Sequence, residues 1–174
     1  LDQSYFDRLR ARVIAARDRN IYVSIMLFEG WWLDGSPASW QWHPFHSSNN
    51  VNGFNGDVNG DGKGDEINTL QIPAGLAAVQ KAYVRKVIDT VNDLDNVLYE
   101  IANETHVSGS HPWQYDLIAY VKSYQAKKPK QHPVGMTWSW EGKTNANNNV
   151  LWNSQADWIS PGSWNPYASD PPAA

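Results

Sequence analysis

Residues 97–105 read VLYEIANET, and this stretch decides the fold. Val97, Tyr99 and Ile101 favour strand, and the run stops abruptly on Asn103, Glu104 and Thr105. A strand over Val97 to Asn103, ending in Glu104, is the expectation. Side chains alternate across a strand, so Leu98, Glu100, Ala102 and Glu104 share one face. The periodicity changes on either side. Upstream, Leu76, Val79, Tyr83, Val87, Val91 and Leu94 recur at three- and four-residue spacing, the stripe of an amphipathic helix. Pro73 suits the first position of that helix. Downstream, Pro112 opens another helix with Leu117, Ile118, Val121 and Tyr124 on its apolar side. Lys127, Lys128 and Lys130 sit near its C-terminus and complement the helix dipole.

Further out the alternation continues. Ile21 to Phe28 (IYVSIMLF) is apolar apart from Ser24, the pattern of a strand buried on both faces. A helix precedes it, with Ser4 as expected cap, Asp7 three residues on, and Phe6, Leu9, Val13 and Ala16 as its stripe. Asn20 fits a left-handed residue closing that helix. Val134 to Trp138 and Trp158 to Ser160 are further strands. Strands alternating with helices imply an α/β fold with a parallel sheet and right-handed crossovers. Residues 33–72 interrupt the pattern with a long insertion rich in Gly, Asn, Ser and Trp, a length usually associated with function or disorder.

The chain has 174 residues and reads as a single domain over 1–174, short of the about 250 typical of a complete (β/α)8 barrel. Fourteen basic against 18 acidic residues give a net charge of −4, and no basic stripe is present to bind nucleic acid. No apolar run is long enough for a membrane span, and Leu1 does not open a signal peptide. Cysteine is absent, which excludes disulfides and thiolate metal sites. Ten tryptophans exceed what core packing ordinarily uses and call for flat, amphipathic contact surface.

Functional groups of parallel β/α folds collect at the C-terminal ends of strands. Here the first end carries Glu29, Trp31 and Trp32; the second Asn103, Glu104, Thr105 and His106; the third Trp138, Trp140 and Glu141; the fourth Ser160, Trp164, Asn165 and Tyr167. Carboxylates beside indole faces suit a carbohydrate, with acids to move protons and rings to stack on pyranoses.

LYEIANET, residues 98–105, resembles the fourth strand of the retaining glycoside hydrolases of the (β/α)8 clan that contains cellulases and mannanases. The resemblance implies that Glu104 is the general acid/base and that Asn103 bonds the sugar 2-hydroxyl. Residues 134–140 and 156–162 are similar to strands five and six of those families, and residues 21–32 to strand three. The implied architecture is a partial (TIM) barrel of about four strands. The clan's nucleophile is a Glu on strand seven, and no segment here resembles that strand. Retaining chemistry needs carboxyl groups about 5–5.5 Å apart and inverting chemistry about 6.5–9.5 Å. Glu29 and Glu141 are candidate partners, or else rim residues that hold hydroxyls or form salt bridges. The expected function is that of a glycosidase fragment, with a non-catalytic carbohydrate-binding or truncated module as the alternative.

Plainer roles stand beside each functional one. Glu104 can be an interior carboxylate without turnover, and His106 an ordinary loop residue. Trp113 and Trp158 suit packing, whereas Trp31, Trp32, Trp138, Trp140 and Trp164 suit stacking on sugar. His43 and His46 alone are a weak metal signal. Residues 57–66, DVNGDGKGDE, resemble calcium loops of EF-hand and dockerin type. Asp57, Asn59 and Asp61 take positions one, three and five, Gly62 the sharp turn, Lys63 the carbonyl ligand and Asp65 position nine. Asn68 stands where the closing acidic residue is usual, so the alternative is a solvated Asn/Gly turn. A structural Ca2+ and no organic cofactor are expected. An open half-barrel leaves strand edges bare, so the expected partners are a carbohydrate and either a second copy or a missing barrel segment. The expected setting is secreted or periplasmic.

Overall fold

Four strands, β1 (Val23–Glu29), β2 (Val97–Asn103), β3 (Val134–Thr137) and β4 (Trp158–Ser160), form one parallel sheet in the order β1-β2-β3-β4. The helices are α1 (Gln3–Arg17), α2 (Pro37–Trp40), α3 (Ala74–Val91), α4 (Ser110–Gln125) and α5 (Asn149–Trp152). The computed structural model describes residues 1–33, 37–105, 107, 109–138 and 148–161, and the side chains of these except Trp32 and Pro37. The protein is therefore α/β, with helices between parallel strands.

One face of the sheet carries the core. Ile25, Tyr99, Ile101, Val134 and Met136 are buried beneath Phe6 and Val13 of α1, Val84, Val87 and Ile88 of α3, and Leu117, Ile118 and Val121 of α4. The stripes read from the sequence supply Phe6, Val13, Val87 and the three α4 residues, whereas Val84 and Ile88 lie off the stripe read for α3. A bidentate ion pair fixes α1 to the turn after α3: Arg10 Nη1 and Nη2 donate to the two Asp93 oxygens at 2.6 and 2.7 Å. That guanidinium holds the Asp93 carboxyl down to about 2.

The opposite face is different. Register aligns Met26, Glu100, Gly135 and Trp158 in one row across all four strands. Met26 is 42% exposed and Ser24 is exposed as well. Glu100 is buried and accepts a hydrogen bond from the Thr137 hydroxyl. Trp158 lies across Gly135, where a β carbon would come within 1.9 Å of the indole. The expectation that the first strand is buried on both faces is thus corrected, because Ser24 and Met26 on this second face are exposed.

Local details differ from the sequence reading in small ways. Asp2, not Ser4, caps α1, its carboxylate accepting the Ser4 backbone N–H at 2.9 Å. The first strand starts at Val23 and runs on through Glu29. Pro73 is the cap before α3, and α4 begins at Ser110, two residues ahead of Pro112. Asn20 takes the left-handed conformation expected of it, with φ of 59°.

The insertion has its own small core. Leu33, Trp40, Ile67 and Leu76 are buried together, with Phe45, Phe54 and Ile72 packed around them. Trp40 is the centre. A β carbon on Gly64 would lie 2.1 Å from its ring, and one on Gly56 would lie 2.4 Å from Ile67 Cγ2. Only glycine lets the backbone approach that closely. Much of the 33–72 segment is consequently ordered by an indole the sequence had not singled out.

Candidate functional site

Because Glu29 and Asn103 are opposite one another in the register, β1 and β2 end level. Their side chains meet there: Asn103 Nδ2 donates to Glu29 Oε1 at 3.1 Å. The same oxygen accepts the Trp31 backbone N–H at 2.8 Å, because the chain turns into a 3-10 helix at Trp31–Leu33. Asn68, buried at the end of the insertion, donates to the Glu29 carbonyl at 3.3 Å. Two strand ends and the insertion thus converge on one residue, Glu29, the strand ends at its carboxylate and the insertion at its backbone carbonyl.

Glu104 follows directly. It is half-buried and adopts φ of 31°, left-handed backbone that L residues rarely take. Its neighbours are anchored. The Asn103 carbonyl accepts Gly30 N–H at 2.9 Å. Thr105 is 1% exposed, its hydroxyl 2.8 Å from Ser110 Oγ, and Gln114 Nε2 donates to it at 3.1 Å. Gly30 presses on this segment so closely that a β carbon would meet Asn103 O at 2.4 Å and Thr105 Cα at 2.5 Å. Behind it, Trp113 Nε1 donates to Gln80 Oε1 at 3.1 Å, and Gln80 Nε2 donates to the Ile67 carbonyl at 2.7 Å.

Of the sequence-predicted residues, Glu29, Asn103 and Glu104 therefore lie on one stretch of rim. Trp31 is 52% exposed beside Glu29, and Trp138 is half-buried at the end of β3, its backbone N–H on Ser160 O at 3.0 Å. His106, Trp140, Glu141 and Trp164, with Asn165 and Tyr167, lie outside the described residues, as does the Trp32 side chain. Trp113 is buried in the core, 5.3 Å between its ring centre and that of Phe28.

A cavity of about 590 Å³ opens beside Glu29. Tyr5, Phe28, Trp42, His43, Phe45 and Tyr83 are among its walls. Burial holds the His43 imidazole down to about 4, and Phe45 N–H donates to its Nδ1 at 3.1 Å. Burial, then the hydrogen bond with Tyr5, pushes the Tyr83 phenol up. Sequence reasoning missed this cavity, since Tyr5, His43 and Tyr83 come from three distant segments.

The 57–65 loop is built around Asp57. Its Oδ1 accepts the N–H groups of Gly60 (2.8 Å) and Asp61 (3.1 Å), and its Oδ2 that of Gly62 (3.0 Å). Asn59 Oδ1 accepts Asp61 N–H and Asp61 Oδ1 accepts Lys63 N–H. Gly62, at φ of 83°, makes the turn assigned to it. Asp65 opens the 3-10 helix Asp65–Asn68. In that helix both Glu66 carboxylate oxygens are buried with no hydrogen-bond donor among the described residues. Among those residues, no three His, Cys, Asp or Glu side chains converge as a metal-binding group. The oxygen-rich loop nonetheless has the donor chemistry of a hard cation.

No helix among the described residues is long and apolar enough to cross a membrane. No protein-family model, curated protein or solved structure matches this chain.

Proposed function

We propose that this chain forms part of a (β/α)8 glycoside hydrolase, with Glu104 as general acid/base and Asn103 as the group that bonds a sugar hydroxyl next to the scissile linkage. The observation that carries the reading is the meeting of Glu29 and Asn103 at adjacent parallel strand ends, with Glu104 next in the chain. The strand order also supports it: β1 to β4 run in sequence without the reversal that marks the ligand crevice of a doubly wound sheet. A sugar lying along this rim would have Trp31 and Trp138 to stack on and Glu29 to hold a second hydroxyl.

Glu104→Gln tests the assignment. An acid/base residue contributes about 10²–10⁴ in rate, so turnover of aryl glycosides should fall by that factor while oligosaccharide binding survives. Unchanged turnover in the variant removes Glu104 from the role. A non-catalytic carbohydrate-binding module is the second reading, favoured by the two donors already engaged on Glu29 Oε1, which suit a fixed hydroxyl-holding group better than a nucleophile. Saturable glycan binding by a wild-type protein that hydrolyses nothing would select it.

Calcium is the second component of the proposal. Asp57, Asn59, Asp61, Asp65 and the Lys63 carbonyl would hold the ion, whose role is to stiffen the insertion beside the rim. Asp57 Oδ2 retains a lone pair after accepting the Gly62 N–H, and the two buried Glu66 oxygens have no hydrogen-bond donor among the described residues. Calorimetry should give saturable binding at or below millimolar calcium, together with a raised melting temperature. Asp57→Ala should lose both, and no heat at millimolar ion would remove calcium from the description.

A further inference from the structure

We infer that Thr105, anchored by Ser110 and Gln114, is a positioning residue that forces Glu104 into its left-handed backbone conformation and so aims its carboxyl along the rim. The inference rests on the reading of Glu104 as the acid/base, although its backbone part stands without that role.

Among the described residues, the non-glycine residues with positive φ are Asn20 and Glu104. Asn20 ends a surface helix, where Asn tolerates this conformation. Glu104 has no such local excuse, since its side chain is long and no helix ends there. A strained residue persists only where its surroundings over-determine it. On the near side, Asn103 is fixed through its carbonyl to Gly30 N–H and through its side chain to Glu29. On the far side, the Thr105 hydroxyl is held between Ser110 Oγ and Gln114 Nε2, and Thr105, Ser110 and Gln114 are each at most 1% exposed. Ser110 and Gln114 lie one turn apart on α4, so the anchor is a helix rather than a loop. The Gly30 backbone packs directly on Asn103 and Thr105, leaving no room even for a β carbon between β1 and this segment. With both neighbours pinned, residue 104 must bridge them in the conformation available.

Thr105→Val keeps the shape of the side chain and deletes the hydroxyl; Thr105→Ser retains the hydroxyl. Melting curves of Glu104→Gly and Glu104→Ala, each made in the wild-type chain and in both Thr105 backgrounds, read the strain directly. Glycine should exceed alanine at 104 by several degrees in the wild type and in the Thr105→Ser background. The difference should vanish with Thr105→Val, where residue 104 relaxes. Equal melting of the Gly and Ala variants in the wild type, or a difference that persists in Thr105→Val, overturns the inference. Should Thr105→Val fail to fold, Gln114→Met removes the other side of the anchor and is read in the same way. Glycoside turnover supplies the second arm: kcat should drop at least tenfold in Thr105→Val with KM unchanged, and Thr105→Ser should restore it. A wild type without turnover defeats the hydrolase reading and leaves the melting arm to judge the anchor.

Discussion

At the scale of single residues, the rim depends on an atom that is missing. Gly30 follows β1 and touches the segment Asn103–Thr105 at distances no β carbon can occupy. Gly30→Ala would have to push apart two backbones, not a flexible side chain, since its contacts are Asn103 O and Thr105 Cα. Overpacking of that kind costs about 1–3 kcal/mol, and the upper half of the range is expected here. Urea unfolding should register it as a lower midpoint with an unchanged slope. Under the proposed role of the rim, glycan binding should weaken as well, because the displaced Asn103 carries the bond to Glu29. A Gly30→Ala variant as stable as the wild type would mean that the two strand ends are not locked together. Gly135 is the counterpart inside the sheet, where the glycine makes room for the Trp158 indole.

At the scale of elements, the insertion holds a titrating group whose effect can be signed. Burial keeps His43 neutral down to about pH 4, while an unfolded histidine takes its proton near pH 6.5. Between those values the unfolded chain binds more protons, so stability falls as pH drops through the window and levels off below it. His43→Asn leaves an oxygen to accept Phe45 N–H and removes the titration. The wild type should lose about 1 kcal/mol more than the variant between pH 7 and pH 5, a value discounted because the ring is not fully buried. Parallel pH profiles for the two proteins would show that His43 is not held neutral. The same segment marks where the sequence stopped being legible. Helix α3 and strand β2 could be read closely, because Tyr83 to Leu94 and Val97 to Asn103 are each dominated by one periodicity against one core. The meeting of Glu29 with Asn103 was half legible: each marks a strand end, but their level alignment depends on register. Trp40 was not legible as a core residue, since what buries it is the absence of side chains at Gly56 and Gly64. The Thr105–Ser110–Gln114 anchor was missed for a similar reason, as polar residues give no periodic signal until they are found sharing a buried hydroxyl.

At the scale of the molecule, the second face of the sheet is partly open among the described residues, with Ser24 and Met26 exposed on it. The row Met26, Glu100, Gly135 and Trp158 lies on the face opposite Ile25, Tyr99 and Val134, and the outer edges of β1 and β4 have no strand partner among the described residues. Bare parallel edges and an exposed Met26 are unfavourable in water. If the sheet is half of a barrel, as proposed, a two-fold axis along the barrel can close it with a second copy. Strand β4 of each chain would then lie parallel to β1 of the other, and the four-residue row would continue around the interior. Glu100, already bonded to Thr137, would become one of the interior carboxylates. The expected particle in sedimentation at micromolar concentration has twice the mass of the chain. Met26→Lys should shift it toward one chain, because closure would bury an ammonium group with no partner at a cost of several kcal/mol. Circular dichroism should still report the helices packed on the other face, which separates lost association from lost folding. A wild type that sediments as a single chain excludes closure by a second copy. The open edges would then have to be met by strands from another polypeptide or from elsewhere in a longer chain, and Met26→Lys would leave the mass unchanged.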